Sequence, residues 1–343
     1  MRVARNVGCA AIVAVTLTVQ PSSRSWQPQS SGVTARLRGL SAASDMVAWA
    51  SGANGTIVHT TDGGQTWGRQ SIPGTERLDF RDIDAVDERT AYILSIGPGE
   101  SSRIFKTSNG GAMWDLQFTN TDSKAFFDAM SFWDTTHGLA ISDSIDGQFV
   151  AIRTENGRDW TRIPSSAFPP ALPNEGAFAG SGTNIAVLPG GRAWIGTGAS
   201  NIARVLRTSD WGKTWSVADT PIAASASAGI FSVTFRDSRN GIAVGGDYKQ
   251  ESLATGTGAL TSDGGVTWTA MPGLTGFRSA IVSIPRAGRP LYIASGPSGT
   301  DMGDGRLWTA LDGPGFHALA CSPSRRVCWG AGENGRIARM TLE

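Results

Sequence analysis

Thr60-Thr61-Asp62-Gly63-Gly64-Gln65-Thr66-Trp67 decides the fold, because the phrase returns as Thr208-Ser209-Asp210-Trp211-Gly212-Lys213-Thr214-Trp215 and as Thr261-Ser262-Asp263-Gly264-Gly265-Val266-Thr267-Trp268. Weaker copies stand between and after these: Thr107-Ser108-Asn109-Gly110-Gly111-Ala112-Met113-Trp114, and the shortened Thr154-Glu155-Asn156-Gly157-Arg158-Asp159-Trp160 and Asp304-Gly305-Arg306-Leu307-Trp308. The closing tryptophans recur with a period of roughly 40–55 residues, which fits a four-stranded propeller blade. Each copy follows a strand-like run such as Thr56-Ile57-Val58-His59 and so marks a hairpin. The Asp or Asn accepts N–H bonds within its own turn, the glycines supply positive φ, and the Trp opens the next strand and packs between blades. These aspartates are read as structural.

A second strand signal precedes each of these six turns and recurs once more without one: Val47-Ala48-Trp49-Ala50, Ala91-Tyr92-Ile93-Leu94, Gly138-Leu139-Ala140-Ile141, Ala193-Trp194-Ile195-Gly196, Gly241-Ile242-Ala243-Val244, Leu291-Tyr292-Ile293-Ala294 and finally Val327-Cys328-Trp329-Gly330. Seven such strands predict seven blades. The last group ends in Gly335-Arg336-Ile337-Ala338-Arg339-Met340 without an outer strand, and Ser25-Trp26-Gln27-Pro28-Gln29 supplies the missing piece. The expected fold is therefore an all-β, seven-bladed β-propeller over residues 24–343, its ring closed by the N-terminal strand so that no edge is left unpaired there.

Composition agrees. The chain of 343 residues has 44 Gly and 16 Pro, is 40% hydrophobic and only 17% charged, too apolar for disorder and too broken by glycine for long helices. A formal net charge of +1 removes the long-range field that nucleic acid or anionic lipid would need, so neither is an expected partner. Among the basic residues Arg far outnumbers Lys, which fits a coding bias as well as it fits selection for carboxylate recognition.

Residues 1–23 read as a secretory signal peptide: Arg2 and Arg5, an apolar run from Val7 to Val19, then the polar Gln20-Pro21-Ser22-Ser23. The run is short for a membrane span, so export to the periplasm or the outside is expected, without stable membrane insertion once the signal is removed. There is no clean cleavage site, and an uncleaved anchor stays open. Cys9 would leave with the signal. Cys321 and Cys328 then remain, flanking the polar turn Ser322-Pro323-Ser324-Arg325-Arg326-Val327, and a disulfide across that hairpin is expected. With no third cysteine and three scattered histidines, His59, His137 and His317, a Cys/His metal site has almost no material. No phosphate-cradling loop or haem motif is present, so no cofactor and no catalytic residue are assigned.

The phrase Ser/Thr-x-Asp-x-Gly-x-Thr-Trp is the Asp-box, or bacterial neuraminidase (BNR) repeat. Spaced across nearly the whole chain, with phrases such as Leu78-Asp79-Phe80-Arg81-Asp82-Ile83 heading a blade, it makes the sequence resemble the photosystem II stability/assembly factor-like family of seven-bladed propellers. The resemblance implies a WD40/YVTN-like ring of the binding or assembly type. Bacterial members of the group often carry an oxidoreductase or glycosyl hydrolase label without an evident active site. Asp-boxes also occur in sialidases, sortilin-type receptors and secreted xyloglucanases, so function has to be argued from the site.

The loop leading into each inner strand opens on the face opposite the Asp-box turns. Aligning Leu37-Arg38-Gly39-Leu40, Phe80-Arg81-Asp82-Ile83, Phe127-Asp128-Ala129-Met130, Phe277-Arg278-Ser279-Ala280 and Phe316-His317-Ala318-Leu319 puts Arg38, Arg81, Asp128, Arg278 and His317 in one column. Glu175, Asp143, Asp247 and Tyr248 are expected at the same channel mouth. The phenylalanines should be buried between blades while Arg81 and Arg278 project into the mouth. Such a cluster suits an anionic or carboxylate-bearing partner, and the bland alternative is a set of mutually satisfied Arg–Asp pairs. The reading is a monomeric, non-catalytic propeller holding a protein or peptide partner at its mouth. The competing reading is a glycan-binding or glycoside-hydrolysing propeller, either sialidase-like, with Arg38, Arg81 and Arg278 imitating an arginine triad, or a two-carboxylate glycosidase in which Asp128 would work with Asp143, Glu175 or Asp247.

Overall fold

Strands in this chain are short and bounded by glycine, so no single sheet has the area to stand alone, and stability has to come from stacking sheets face to face. The computed structural model describes residues 25–286 and 288–342. Among them are seven four-stranded antiparallel sheets arranged as the blades of a propeller. The first blade is typical: Leu37–Ala42 innermost, then Ala48–Gly52, Thr56–Thr60 and the outer Gly68–Gln70. The expected signal peptide and Cys9 lie outside the described residues.

The second strand of a blade is covered on both faces by neighbouring blades, which is why it reads as a continuous apolar run. Every residue of Ala48–Gly52 and of Val327–Ala331 is buried, whereas Gly68–Gln70 is largely exposed. The cores lie between blades: Leu37, Leu40, Ala50 and Val58 of the first pack on Ala318, Trp329 and Ile337 of the seventh.

That last interface is closed by the chain's two ends. Gln27–Gln29 pairs antiparallel with Ile337–Thr341, Gln27 facing Arg339 and Gln29 facing Ile337. Trp26 packs on Phe316, and Gln29 reaches into the first blade, donating to the Gly63 carbonyl at 3.1 Å and accepting from Trp67 Nε1 at 3.1 Å. The N-terminal strand therefore clasps the seventh blade to the first.

The repeated turns have the anticipated chemistry. Asp62 accepts from the Thr60 hydroxyl at 2.8 Å, the Thr66 N–H at 2.9 Å and the Thr66 hydroxyl at 2.6 Å, and Gly64, at φ +84°, donates to Thr60 Oγ1. These bonds to the charged form, the Thr66 hydroxyl's first, hold the Asp62 carboxyl down at about 2. Asp210 and Asp263 repeat the pattern. The seventh blade also carries the disulfide between Cys321 and Cys328, directly opposite each other in its hairpin. Among the described residues no helix is long and apolar enough to cross a membrane.

Candidate functional site

Gly63 donates to the Met46 carbonyl, so the Asp-box turns share a face with the turns between first and second strands. The other face carries the starts of the inner strands and the ends of the second strands. In four blades the inner strand opens with a β-bulge, between Leu37 and Gly39, Phe80 and Asp82, Phe127 and Ala129, and Ile230 and Ser232. A bulge inserts one residue and re-aims its side chain. Here the inserted residues are Arg38, Arg81, Asp128 and Phe231, and all four line one cavity of about 760 Å³ at the channel mouth. That volume lies within the range usual for ligand-binding pockets.

The cavity has a floor. The fourth blade's inner strand begins only at Ile185, and the preceding segment runs across the channel instead. Ala179 and Gly180 accept from Arg81 at 2.9 Å and from Arg38 at 3.4 Å. Ser181 Oγ donates to the Ser279 carbonyl at 2.7 Å, and the Thr183 and Ser232 hydroxyls are bonded at 2.7 Å. These partners belong to the first, second, fifth and sixth blades, so residues 179–183 plug the channel and turn a pore into a closed cup.

One wall of the cup is basic. Arg36, Arg38, Arg81 and His317 line it with Glu333. Glu333 sits 2.7 Å from His317 Nε2 and 4.0 Å from Arg36, and Arg81 donates to Asp79 at 2.9 Å. Burial, with Arg81 and Arg36 alongside, lowers Arg38 to about 10, and burial followed by the Arg38 charge lowers His317 to about 4. The opposite wall is aromatic: Phe178 stacks on Phe231 at 4.1 Å, Phe231 meets Phe277 edge-on at 4.7 Å, and exposed Tyr248 closes the group. Beside it lie two carboxyls. Burial, reinforced by Asp143, holds Asp128 well above the usual carboxylate range, and burial raises Asp143 to about 6. Among the described residues no group of three or more His, Cys, Asp or Glu side chains is placed to hold a metal ion.

Of the nine residues read from the sequence, Arg38, Arg81, Asp128, Asp143, Tyr248 and His317 line the cavity. Three expectations need correction. Arg278 does not project into the mouth: it is completely buried, donating to Asp301 at 2.7 Å and to the Phe277 carbonyl at 2.8 Å. Glu175 is buried in a fork with Arg204 and accepts from the Thr197 hydroxyl at 2.6 Å. Asp247 turns back on its own loop, accepting from the Lys249 N–H at 2.9 Å and from Gln250 at 3.1 Å. Nor is Arg81 simply solvated, since it is tied to Asp79 and to the plug.

Sequence reasoning missed Arg36, Glu333, Phe178 and Phe231. Phe231 had a signal: Ile230-Phe231-Ser232 aligns with Phe80-Arg81-Asp82, and a search restricted to polar residues passed over it.

The ring matches solved propellers along nearly its whole length. The chain is similar to YCF48. A structure described as YCF48 bound to D1 peptide superposes with a TM-score of 0.66 at 16% identity, covering 93% of this chain and 97% of that one. YCF48 from Cyanidioschyzon merolae gives 0.62 at 14% identity, covering 92% and 98%. The WD40 β-propeller domain of Doa1 gives 0.59 at 11%, covering 93% and 98%. No protein-family model matches the chain, and no curated protein matches it by sequence. At these identities the likeness establishes the propeller fold.

Proposed function

We propose that this protein is an exported, non-catalytic binding or assembly-type propeller that holds a protein or peptide partner in the cup at its channel mouth. The observation that carries the reading is the cup itself: a plugged cavity of about 760 Å³ with arginines on one wall and stacked aromatic rings on the other. Arginine forks bind carboxylates in defined geometry, and rigid aromatic surfaces supply apolar contact at low entropic cost. The YCF48 structure bound to D1 peptide adds support from a ring of the same architecture. Export rests on the N-terminal apolar run, and the Cys321–Cys328 disulfide is consistent with an oxidising compartment.

The glycan alternative loses candidates, because Glu175 is committed to Arg204 and Asp247 to its own loop. Asp128 and Asp143 remain as the expected carboxylates that face the cavity. The test is capture from the native envelope by wild type and by Arg36→Ala, run beside a panel of glycosides. A protein captured by wild type and lost with Arg36→Ala supports the reading. Turnover of a glycoside that Asp128→Asn abolishes overturns it.

A further inference from the structure

Two residues that line the same cup each hold a buried polar atom without a partner, and the two are of opposite character. Among the described residues, Arg38 Nε donates to nothing and Asp128 Oδ2 accepts from nothing, although Asp128 is only 2% exposed and its carboxyl is otherwise held by the Asp143 and Ala179 N–H groups. A buried donor or acceptor left unmade costs about 1–3 kcal/mol, so the two lining residues keep unspent hydrogen-bonding capacity of opposite sense. Elsewhere Arg278 is matched by Asp301 and Arg204 by Glu175, whereas Asp82 is buried beside Asp84 and held by backbone N–H groups alone.

We infer that the cup recognises a dipolar segment of a peptide, with a carboxylate of the partner at Arg36 and Arg38 and an ammonium or guanidinium at Asp128 and Asp143. The inference rests on the peptide-binding reading above and names the chemistry that reading leaves open. Each wall is short of the opposite charge. Arg38 is crowded by Arg36 and Arg81, and Asp128 has Asp143 beside it, with Arg81 as the nearby cation. Arg81 is already engaged by Asp79 and the Ala179 carbonyl, and it offsets the two carboxyls only in part. A cationic group entering between them finds two acceptors and the rings of Phe126 and Phe178 on the same lining, a setting that favours cations over neutral amides. Burial disfavours the charged form of both carboxyls, and a cation seated between them would offset that cost.

The probes are four sets of fluorescent 15-residue peptides, acidic only, basic only, mixed-charge and neutral, titrated at constant ionic strength against wild type, Asp128→Asn, Asp143→Asn and Arg36→Ala. Asparagine is close to isosteric with the protonated carboxyl, and Arg36 is exposed, so these variants should fold. Mixed-charge peptides should bind tightest. Asp128→Asn should weaken them about tenfold or more while leaving acidic-only binding within twofold, and Arg36→Ala should weaken both sets. Acidic-only peptides that bind as tightly as mixed ones, or mixed binding unmoved by Asp128→Asn, overturn the dipolar inference and leave the mouth as a peptide site. If no peptide binds wild type, both readings fail.

Discussion

Replacing Arg278 by alanine should unfold the protein about as readily as removing a core aromatic. The guanidinium and the Asp301 carboxylate have no solvent exposure, and Arg278 Nε donates to Asp301 at 2.7 Å. Deleting one member of a buried pair leaves an uncompensated charge and costs about 3–5 kcal/mol, similar to Phe→Ala in a core. For a domain of this length, unfolding entropy of about 2.1 cal/mol/K per residue converts each kcal/mol into about 1.5 °C, so the melting temperature should fall by about 4–8 °C. Phe80→Ala should fall in the same range, and Arg36→Ala, at an exposed position, should stay within about 0.5 kcal/mol. Because the cost comes from the stranded carboxylate, Arg278→Met with Asp301→Leu should recover at least half of the loss. Recovery stays incomplete because the Thr275 N–H and hydroxyl also donate to Asp301, at 3.1 and 3.0 Å. The assay is thermal and urea unfolding of the four variants. An Arg278→Ala protein that melts with wild type, or a double variant no better than the single, refutes the buried-pair argument.

Two further outcomes follow from the same geometry. Deleting the residues before Val33 removes the strand Gln27–Gln29 and its bonds to Gly63 and Trp67, and should lower the melting temperature markedly; unchanged melting would remove the clasp. Asp128→Asn should stabilise the protein at pH 7.5. The folded carboxyl is held well above the usual range by burial and Asp143, with Arg81 opposing, so above the unfolded value the folded state holds the proton more tightly than the unfolded chain and deprotonation destabilises it. That penalty exists only above the unfolded value of about 3.9 and grows as pH rises from there, so the gain in melting temperature should shrink to nothing as the pH is lowered toward 4. A gain that grows on acidification would contradict the assigned direction.

The ring was legible because its signals are local. The Asp62, Asp210 and Asp263 turns satisfy themselves within a few residues, and strands covered on both faces announce themselves as apolar runs. The column at the mouth was partly legible for the same reason, since one bulge recurs at Arg38, Arg81 and Asp128. What failed was long-range. Arg278 follows a phenylalanine just as Arg81 does, yet Asp301 on the third strand of its own blade captures it, and nothing in the spacing of the two signals the pairing. Arg204 captures Glu175 across a comparable separation. The plug at residues 179–183 was invisible because Gly180-Ser181-Gly182-Thr183 carries no periodicity, and its role comes from the four blades it touches.

Docking of a partner on the mouth face can be read by cross-linking from two faces of one molecule. A photo-reactive residue is placed at Tyr248, 44% exposed at the cup, and in a second protein at Val266, 48% exposed in an Asp-box turn. Both are irradiated with the partner captured from the native envelope. Cross-links from position 248 that vanish with Arg36→Ala, and none from position 266, are the expected result. Cross-links from position 266 alone would place the partner on the Asp-box face and contradict the account.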